Sequence, residues 1–283
     1  MSIHQDNWSQ VIGSKHSLFS LNLKEVWEYK DLVYMLVKRD FVTSFKQTIL
    51  GPLWFFINPI FTTIMYVIVF GNVAGLSTDG APMMAFYLSG VTLWNYFSSC
   101  LNGTTSVFRG NASIFGKVYF PRLVMPLAVV ISNLMRFGVQ YLLFVCVVVY
   151  YVFKDGSVQP NLWVLATPLL IFLMGAFAMG AGMILSSLTT KYKDFGMLIG
   201  FGVSLYMYIT PVVIPISSFP EKYRWIMDIN PLTGIFECFK YAYLGVGDFS
   251  LNMLMYSTVF IMMTLIVGTL IFNKVEKSFM DTV

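Results

Sequence analysis

The stretch KRDFVTSFKQTILGPLWFFINP, residues 38–59, decides how the chain is read. It opens on the charges Lys38, Arg39 and Asp40, passes through Gly51-Pro52, and ends in an uncharged aromatic run. That order predicts a segment that leaves water, lies along a membrane surface and turns into the bilayer at about residue 53. The rest of the chain is ordered around that crossing point.

Composition points the same way. Soluble domains carry about a quarter charged and about half apolar residues. Here charged residues are 11%, hydrophobic residues 57% and the mean hydropathy is +0.71, too little charge to cover a soluble surface. The 283 residues supply several spans of roughly 20 residues each and leave no room for a soluble catalytic domain of ordinary size. The net charge of +4 is spread over loops and forms no nucleic-acid patch. Cys100, Cys146 and Cys238 lack metal or redox spacing and read as small apolar residues. Residues 1–20 are polar, with no apolar core followed by a cleavage site, and read as a cytosolic tail.

An interface helix is expected at 22–40. At about 100° per residue, Lys24, Glu28, Asp31 and Lys38 share one side, and Leu23, Val26, Trp27, Val33, Tyr34 and Val37 the other. Both a membrane surface and a soluble partner suit such a helix. Six nearly uncharged segments follow, at about 53–75, 81–107, 123–153, 162–188, 195–217 and 251–272. The fold class read from this pattern is an all-α membrane protein of six transmembrane helices. With the N-terminus inside, inner segments hold Lys15, Lys24, Lys30, Lys38, Arg39, Lys46, Arg109, Lys117, Arg122, Lys191, Lys193, Lys274 and Lys277. Outer segments hold only Lys154, Lys222, Arg224 and Lys240, so the positive-inside rule places both termini in the cytosol. Between spans five and six, residues 218–250 are semi-apolar and split by Asn230-Pro231. Each half is too short to span, which predicts an outer re-entrant helical hairpin. Glycines at 71/75 and 196/200 have the spacing of close helix packing, a weak signal for a dimer.

Chemistry is sparse. His4 and His16 both lie in the tail, and no metal-ligand or catalytic cluster is recognisable. GNASIFGK at 110–117 spaces its glycines six apart instead of five, puts Val118 where a magnesium-holding hydroxyl belongs, and follows a span instead of a strand, so it is no nucleotide loop. Within the spans only Arg136 is charged, and three roles stay open for it: snorkelling, a structural pair such as Glu237, and a phosphate contact. Energy for any transport would therefore have to come from outside the chain. Aromatics are in excess at 17%, among them Trp54, Phe55, Phe56, Phe61, Tyr66 and Phe70 on the first span and Tyr206 and Tyr208 on the fifth. Such rings suit lipid, core packing or the C–H faces of a sugar.

Several motifs in order carry a resemblance: RDFVTSFKQTILGPLWFFINPIF from residue 39, FGKVYFPRLVMP from 115, KYKDFG from 191, ITPVVIP from 209, INPLTGIFECFKYAYLG from 229 and FNKVEKSFMDTV from 272. The sequence resembles permease subunits of ABC-type polysaccharide exporters over residues 33–283, with KQTILGPLW and VEKSFMDT most similar to the O-antigen branch. Residues 1–20 carry no family pattern. The resemblance implies a single transmembrane domain over 21–283, working as a homodimer with two copies of a separate ATPase that binds ATP and Mg. No cofactor or metal is expected in this chain. The implied cargo is polysaccharide on undecaprenyl pyrophosphate, moved across the bacterial inner membrane. It further implies a coupling helix at 111–122, re-entrant helices at 220–245, and a channel lined by the first and fifth spans.

On that basis Trp54, Tyr66, Phe70, Tyr206 and Tyr208 are the candidate substrate-channel residues. Lys38, Arg39, Lys46 and Arg122 are candidates for the lipid pyrophosphate, against an ordinary role in topology. Phe115, Gly116, Lys117, Tyr119 and Phe120 are the candidate ATPase-coupling residues, and Arg136 remains an intramembrane charge. Two rivals stay open: an ABC permease for capsule, teichoic acid, a drug or a small lipid, and a membrane enzyme acting on a lipid-linked sugar. The enzyme requires acidic or histidine clusters that the sequence lacks.

Overall fold

The computed structural model describes residues 23–46, 48–111, 120–154, 156–192 and 194–280, which form helices with no strand among them. An apolar surrounding explains the choice, because without water a backbone must satisfy its own N–H and C=O groups. Four helical stretches are long and apolar enough to cross a membrane: Gly51–Val73, Val124–Lys154, Leu162–Thr189 and Leu251–Lys274. They match the expected spans at 53–75, 123–153, 162–188 and 251–272 to within two residues.

The described residues begin with α1 (Leu23–Glu28) and α2 (Lys30–Thr43), so the expected interface helix is broken at Tyr29 and runs three residues past Asp40. Val33, Leu36 and Val37 turn α2 against the protein, while Trp27 and Tyr34 are 72% and 67% exposed. Gly51 then takes the left-handed φ of +52°, which its missing side chain permits, and Pro52 opens a tight turn into α3 (Trp54–Tyr66). Pro59 lies inside α3, where it cannot bond back to the preceding turn, and the helix widens into a π turn over Val67–Val73.

Helix α4 (Met83–Thr105) is the centre of the bundle, with α3, α6 (Val124–Lys154) and α7 (Thr167–Lys191) packed around it. Sixteen of its 23 residues are buried. Protein surrounds most of α4, which tolerates Ser89 and Thr92 fully buried and Asn95 and Ser98 half-buried; these lower its hydropathy below that of the four clear spans. Between α4 and α6 lies the single turn α5 (Val107–Gly110), and α8 (Phe195–Tyr206) follows α7. The expected fifth span at 195–217 ends early. Helical backbone stops at Ile209, Thr210 is extended with φ −114° and ψ 143°, and Pro211 has no N–H to continue. Val212 and Val213 are then buried as irregular chain, and Ile216 is buried at the start of a short 3-10 turn over Ile216–Ser218.

The split segment forms α9 (Arg224–Ile229) and α10 (Thr233–Leu244), and α11 (Leu251–Met280) closes the chain. Eleven of the 12 residues of α10 are buried, so it plugs one end of the bundle. At the other end a second apolar cluster joins Val33, Leu36 and Val37 of α2 to Phe108 of α5, Phe120, Met125 of α6 and Phe272 of α11. The rings of Phe108 and Phe272 stack there at 4.6 Å. The expected 71/75 glycine pairing does not form a helix face. Gly71 sits in the π turn against Met83, and Gly75 lies beyond the helix. Close helix contact occurs instead where α7 crosses α11, at Gly180 and Gly268.

Candidate functional site

The structure divides the expected channel aromatics into two groups. Tyr66 and Phe70 meet edge to face at 5.4 Å, and Tyr66 also faces Tyr87 of α4 at 6.3 Å. The Tyr66 hydroxyl donates to Met207 Sδ at 3.4 Å, which ties the far end of α3 to the far end of α8. Tyr206 lies between Trp94 and Phe97 of α4, each 6.1 Å away, and its hydroxyl donates to Asn230 Oδ1 at 2.5 Å. These three residues belong to an inward-facing seam. Trp54 and Tyr208 are exposed instead. Twelve residues separate Trp54 from Tyr66, which rotates one about 120° from the other around α3. The exposed strip that Trp54 begins continues through Phe61, 65% exposed, and Met65, and the matching strip of α8 carries Phe201, 66% exposed. One set braces the helices; the other faces outward.

Asn230 holds the break between α9 and α10. Its Oδ1 accepts from the Tyr206 hydroxyl and from Leu232 N at 2.9 Å, and its Nδ2 donates to Ile209 O and Thr210 Oγ1, both at 2.9 Å. One side chain thus joins the end of α8 to the start of α10. Asn230→Ala removes all four bonds and strands buried partners, at a cost of about 1–3 kcal/mol. The check is chemical denaturation of the purified chain in detergent, with Tyr206→Phe, which removes one bond only, expected to cost less.

Beside Asn230, Lys240 and Glu237 are each 1% exposed and stand 3.8 Å apart. The ammonium donates to Pro211 O at 2.5 Å and lies 4.0 Å from the centroid of the Phe86 ring, while Glu237 Oε2 accepts from Asp248 N at 3.0 Å. Burial pushes the Glu237 carboxyl above its usual range, against the pull of Lys240 and the Asp248 N–H. Burial pushes the Lys240 ammonium down, against the pull of Glu237. Lys240 is therefore an internal clasp, which its place in the count of outer-segment charges did not reveal. Glu237 is engaged here with Lys240 and is not the partner of Arg136.

At the opposite end Lys38, Arg39 and Lys46 are exposed. Arg39 is engaged by its neighbour, donating from Nε at 2.9 Å and Nη2 at 2.8 Å to Asp40 Oδ1. Arg122 is buried at 6% exposure, so it does not share the open collar of the other three. Phe115, Gly116, Lys117 and Tyr119 lie outside the described residues. Phe120 is buried in the apolar cluster that also holds residues of α2, α5, α6 and α11. Arg136 donates from Nη1 to Asn133 Oδ1 at 3.2 Å. Among the described residues no group of three or more His, Cys, Asp or Glu stands together.

A family model described as ABC-2 type transporter matches residues 31–244, from the start of α2 to the end of α10. The chain belongs to the ABC-2 type transporter family. Among similar proteins is the O-antigen export system permease protein RfbA of Klebsiella pneumoniae, 29% identical over 89% of this chain and 94% of its own length. A protein of the same name from Myxococcus xanthus is 26% identical over 77% and 82%. The polysialic acid transport protein KpsM of Escherichia coli is 22% identical over 89% and 96%. This ABC-2 chain is thus a membrane transport permease similar to O-antigen export permeases, and the family match runs from α2 to α10.

In this ABC-2 permease, sequence reasoning missed Asn230 and Lys240 as organising residues and Phe201 as an exposed ring. The Asn-Pro dipeptide was a signal for the first, though it announced a break and not four bonds. For Lys240 the only signal was a lysine three residues from a glutamate in an otherwise apolar helix.

Proposed function

We propose that the chain is the permease subunit of an ATP-driven exporter that moves undecaprenyl-pyrophosphate-linked polysaccharide of O-antigen type across the bacterial inner membrane. The observation that carries this reading is similarity to O-antigen export permeases along nine-tenths of both lengths. The chain acts as a homodimer with two ATP-binding subunits, and both termini are cytosolic. It crosses six times: α4 is the shielded central span, and α8 with its irregular continuation is the fifth. The buried α9–α10 pair is the outer re-entrant hairpin, and residues 21–283 are one transmembrane domain behind a polar tail at 1–20.

The exposed strips of α3 and α8 support the dimeric channel. Only 11% of the most apolar window of Gly51–Val73 is buried within one chain, far less than for Leu162–Thr189 at 44%. In the proposed dimer these strips face the second copy and the glycan, with Trp54, Phe61, Phe201 and Tyr208 against sugar. Tyr66, Phe70 and Tyr206 back that wall from behind. Lys38, Arg39 and Lys46 attract the pyrophosphate at headgroup level, with Arg122 beneath them. The loop at 115–120 receives the ATPase, and Phe120 passes its motion to α2.

Three aromatic contacts at about 0.5–1.5 kcal/mol each set the expected effect of Trp54→Ala, Phe61→Ala and Tyr208→Ala together. Surface glycan should fall by about tenfold or more, with the chain still in the membrane and lipid-linked glycan accumulating inside. Unchanged surface glycan overturns the channel assignment. Loss of a capsule in place of O-antigen reassigns the cargo.

A further inference from the structure

A polar pocket of about 310 Å³ lies where the end of α2 meets α4 and α6. Its walls include Asp40 and Thr43 of α2, Ser99 of α4, and Ser132, Asn133 and Arg136 of α6. The arginine is only partly satisfied. Nη1 reaches Asn133, whereas the buried Nε has no partner, and neither does the buried Ser132 hydroxyl. Asn133 is itself oriented, its Nδ2 donating to Val129 O at 2.9 Å. One carboxylate serves two guanidinium groups here: Asp40 Oδ1 takes two bonds from Arg39, and Asp40 makes no hydrogen bond to Arg136. Counting Arg39, Asp40 and Arg136 together, the site keeps one positive charge and two unused buried donors. A buried donor without an acceptor is costly, which is the state a bound anion relieves.

Helix length gives the depth. α6 is uncharged from 137 to 153, a run about 26 Å long against a hydrocarbon core about 30 Å thick. Arg136 and Lys154 therefore bracket the hydrocarbon, and the first twelve residues of α6 extend beyond it beside α2. By that length the pocket falls at one edge of the hydrocarbon, and Ser99, which is exposed, is part of its lining. We infer that the Arg136 pocket binds the phosphate of an anionic lipid headgroup, held by the Arg136 guanidinium and the Ser132 hydroxyl. A phospholipid and a prenyl pyrophosphate share that chemistry. The inference stands on the pocket and not on the export reading, so either can fail without the other.

The test is binding to the purified full-length chain in detergent, by native mass spectrometry and titration. The probes are phosphatidylglycerol, undecaprenyl pyrophosphate and inorganic pyrophosphate. Arg136→Gln and Ser99→Leu should each weaken lipid binding by about tenfold, and Arg136→Lys should keep part of it. A preference for undecaprenyl pyrophosphate makes this a cargo pocket, and a preference for phosphatidylglycerol makes it a resident-lipid pocket; both support the assignment. Arg136-dependent binding of inorganic pyrophosphate with neither lipid overturns the lipid assignment. Equal affinities in wild type and variants for all three probes overturn the pocket. Should Arg136→Gln fail to fold, Ser99→Leu decides the matter, because it narrows the pocket from an exposed position.

Discussion

Lys240→Ala is expected to destabilise the folded chain by about 3–5 kcal/mol, enough to remove most of it from the membrane at growth temperature. The reason lies less in the lost ion pair than in what stays behind. Glu237 is 1% exposed, and its Oε1 has the ammonium at 3.8 Å but no hydrogen-bond donor. Deleting the lysine leaves a carboxylate buried without a cation, strands Pro211 O, and empties the space over the Phe86 ring. The double variant Lys240→Met, Glu237→Gln removes both charges at nearly constant volume and should recover more than half of the loss. Thermal melting of the purified chains in one detergent compares the three proteins. A double variant no more stable than the single one would show that the cost comes from lost packing and not from the orphaned charge.

Gly180→Leu is the second large effect. An added Cβ at Gly180 would stand 2.7 Å from Leu265 Cα and 2.9 Å from Thr264 O, so the obstacle is backbone, which cannot swing aside as a side chain does. Gly268 faces the main chain of Gly180 from the other side of the same crossing. Overpacked cores lose about 1–3 kcal/mol when neighbours can shift, and this crossing should lose at least the upper figure. It joins α7 to α11, so their separation would also unseat Phe272 from Phe108 at the end of the bundle that holds α2. Gly200→Leu is the control. Nothing stands within 4 Å of a Cβ there, and the isolated chain should melt as wild type does. Equal melting of Gly180→Leu and Gly200→Leu would refute the close crossing.

Much of this architecture was legible in the residues because lipid is a simple solvent. Twenty or so uncharged residues satisfy their own backbone in only one way, so four spans were readable to within two positions of their ends. Helix α4 was readable by its lack of charge, although its polar stripe makes sense only once it is seen enclosed by α3, α6 and α7. The early end of α8 was written in Thr210-Pro211, a signal that the apolar run continuing to residue 217 concealed. Hydropathy does not register a proline's missing donor.

The candidate site was less legible. Trp54, Tyr66, Phe70, Tyr206 and Tyr208 were picked out as rings on two apolar helices, yet spacing alone did not say which of them face outward. That depends on how α3 and α8 are rotated against α4, which the Tyr66–Met207 and Tyr206–Asn230 bonds fix. The cations behave in the same way. Lys240 and Arg122 count as charges in any topology rule, but both are buried, and a counting rule treats every lysine and arginine as solvated.

By itself the sequence determined that residues 38–59 take the chain from a surface helix into a membrane, with Gly51-Pro52 as the corner, because charge and hydropathy change there within a few residues. It also marked the four stretches long and apolar enough to cross a membrane. Tertiary structure alone decided that Asp40 and Thr43, at the end of that surface helix, close over Arg136, and that Glu237 pairs with Lys240 instead. The physical reason is that partition between water and lipid is a property of each segment taken singly. The pairing of buried charges and donors is a property of helices brought side by side.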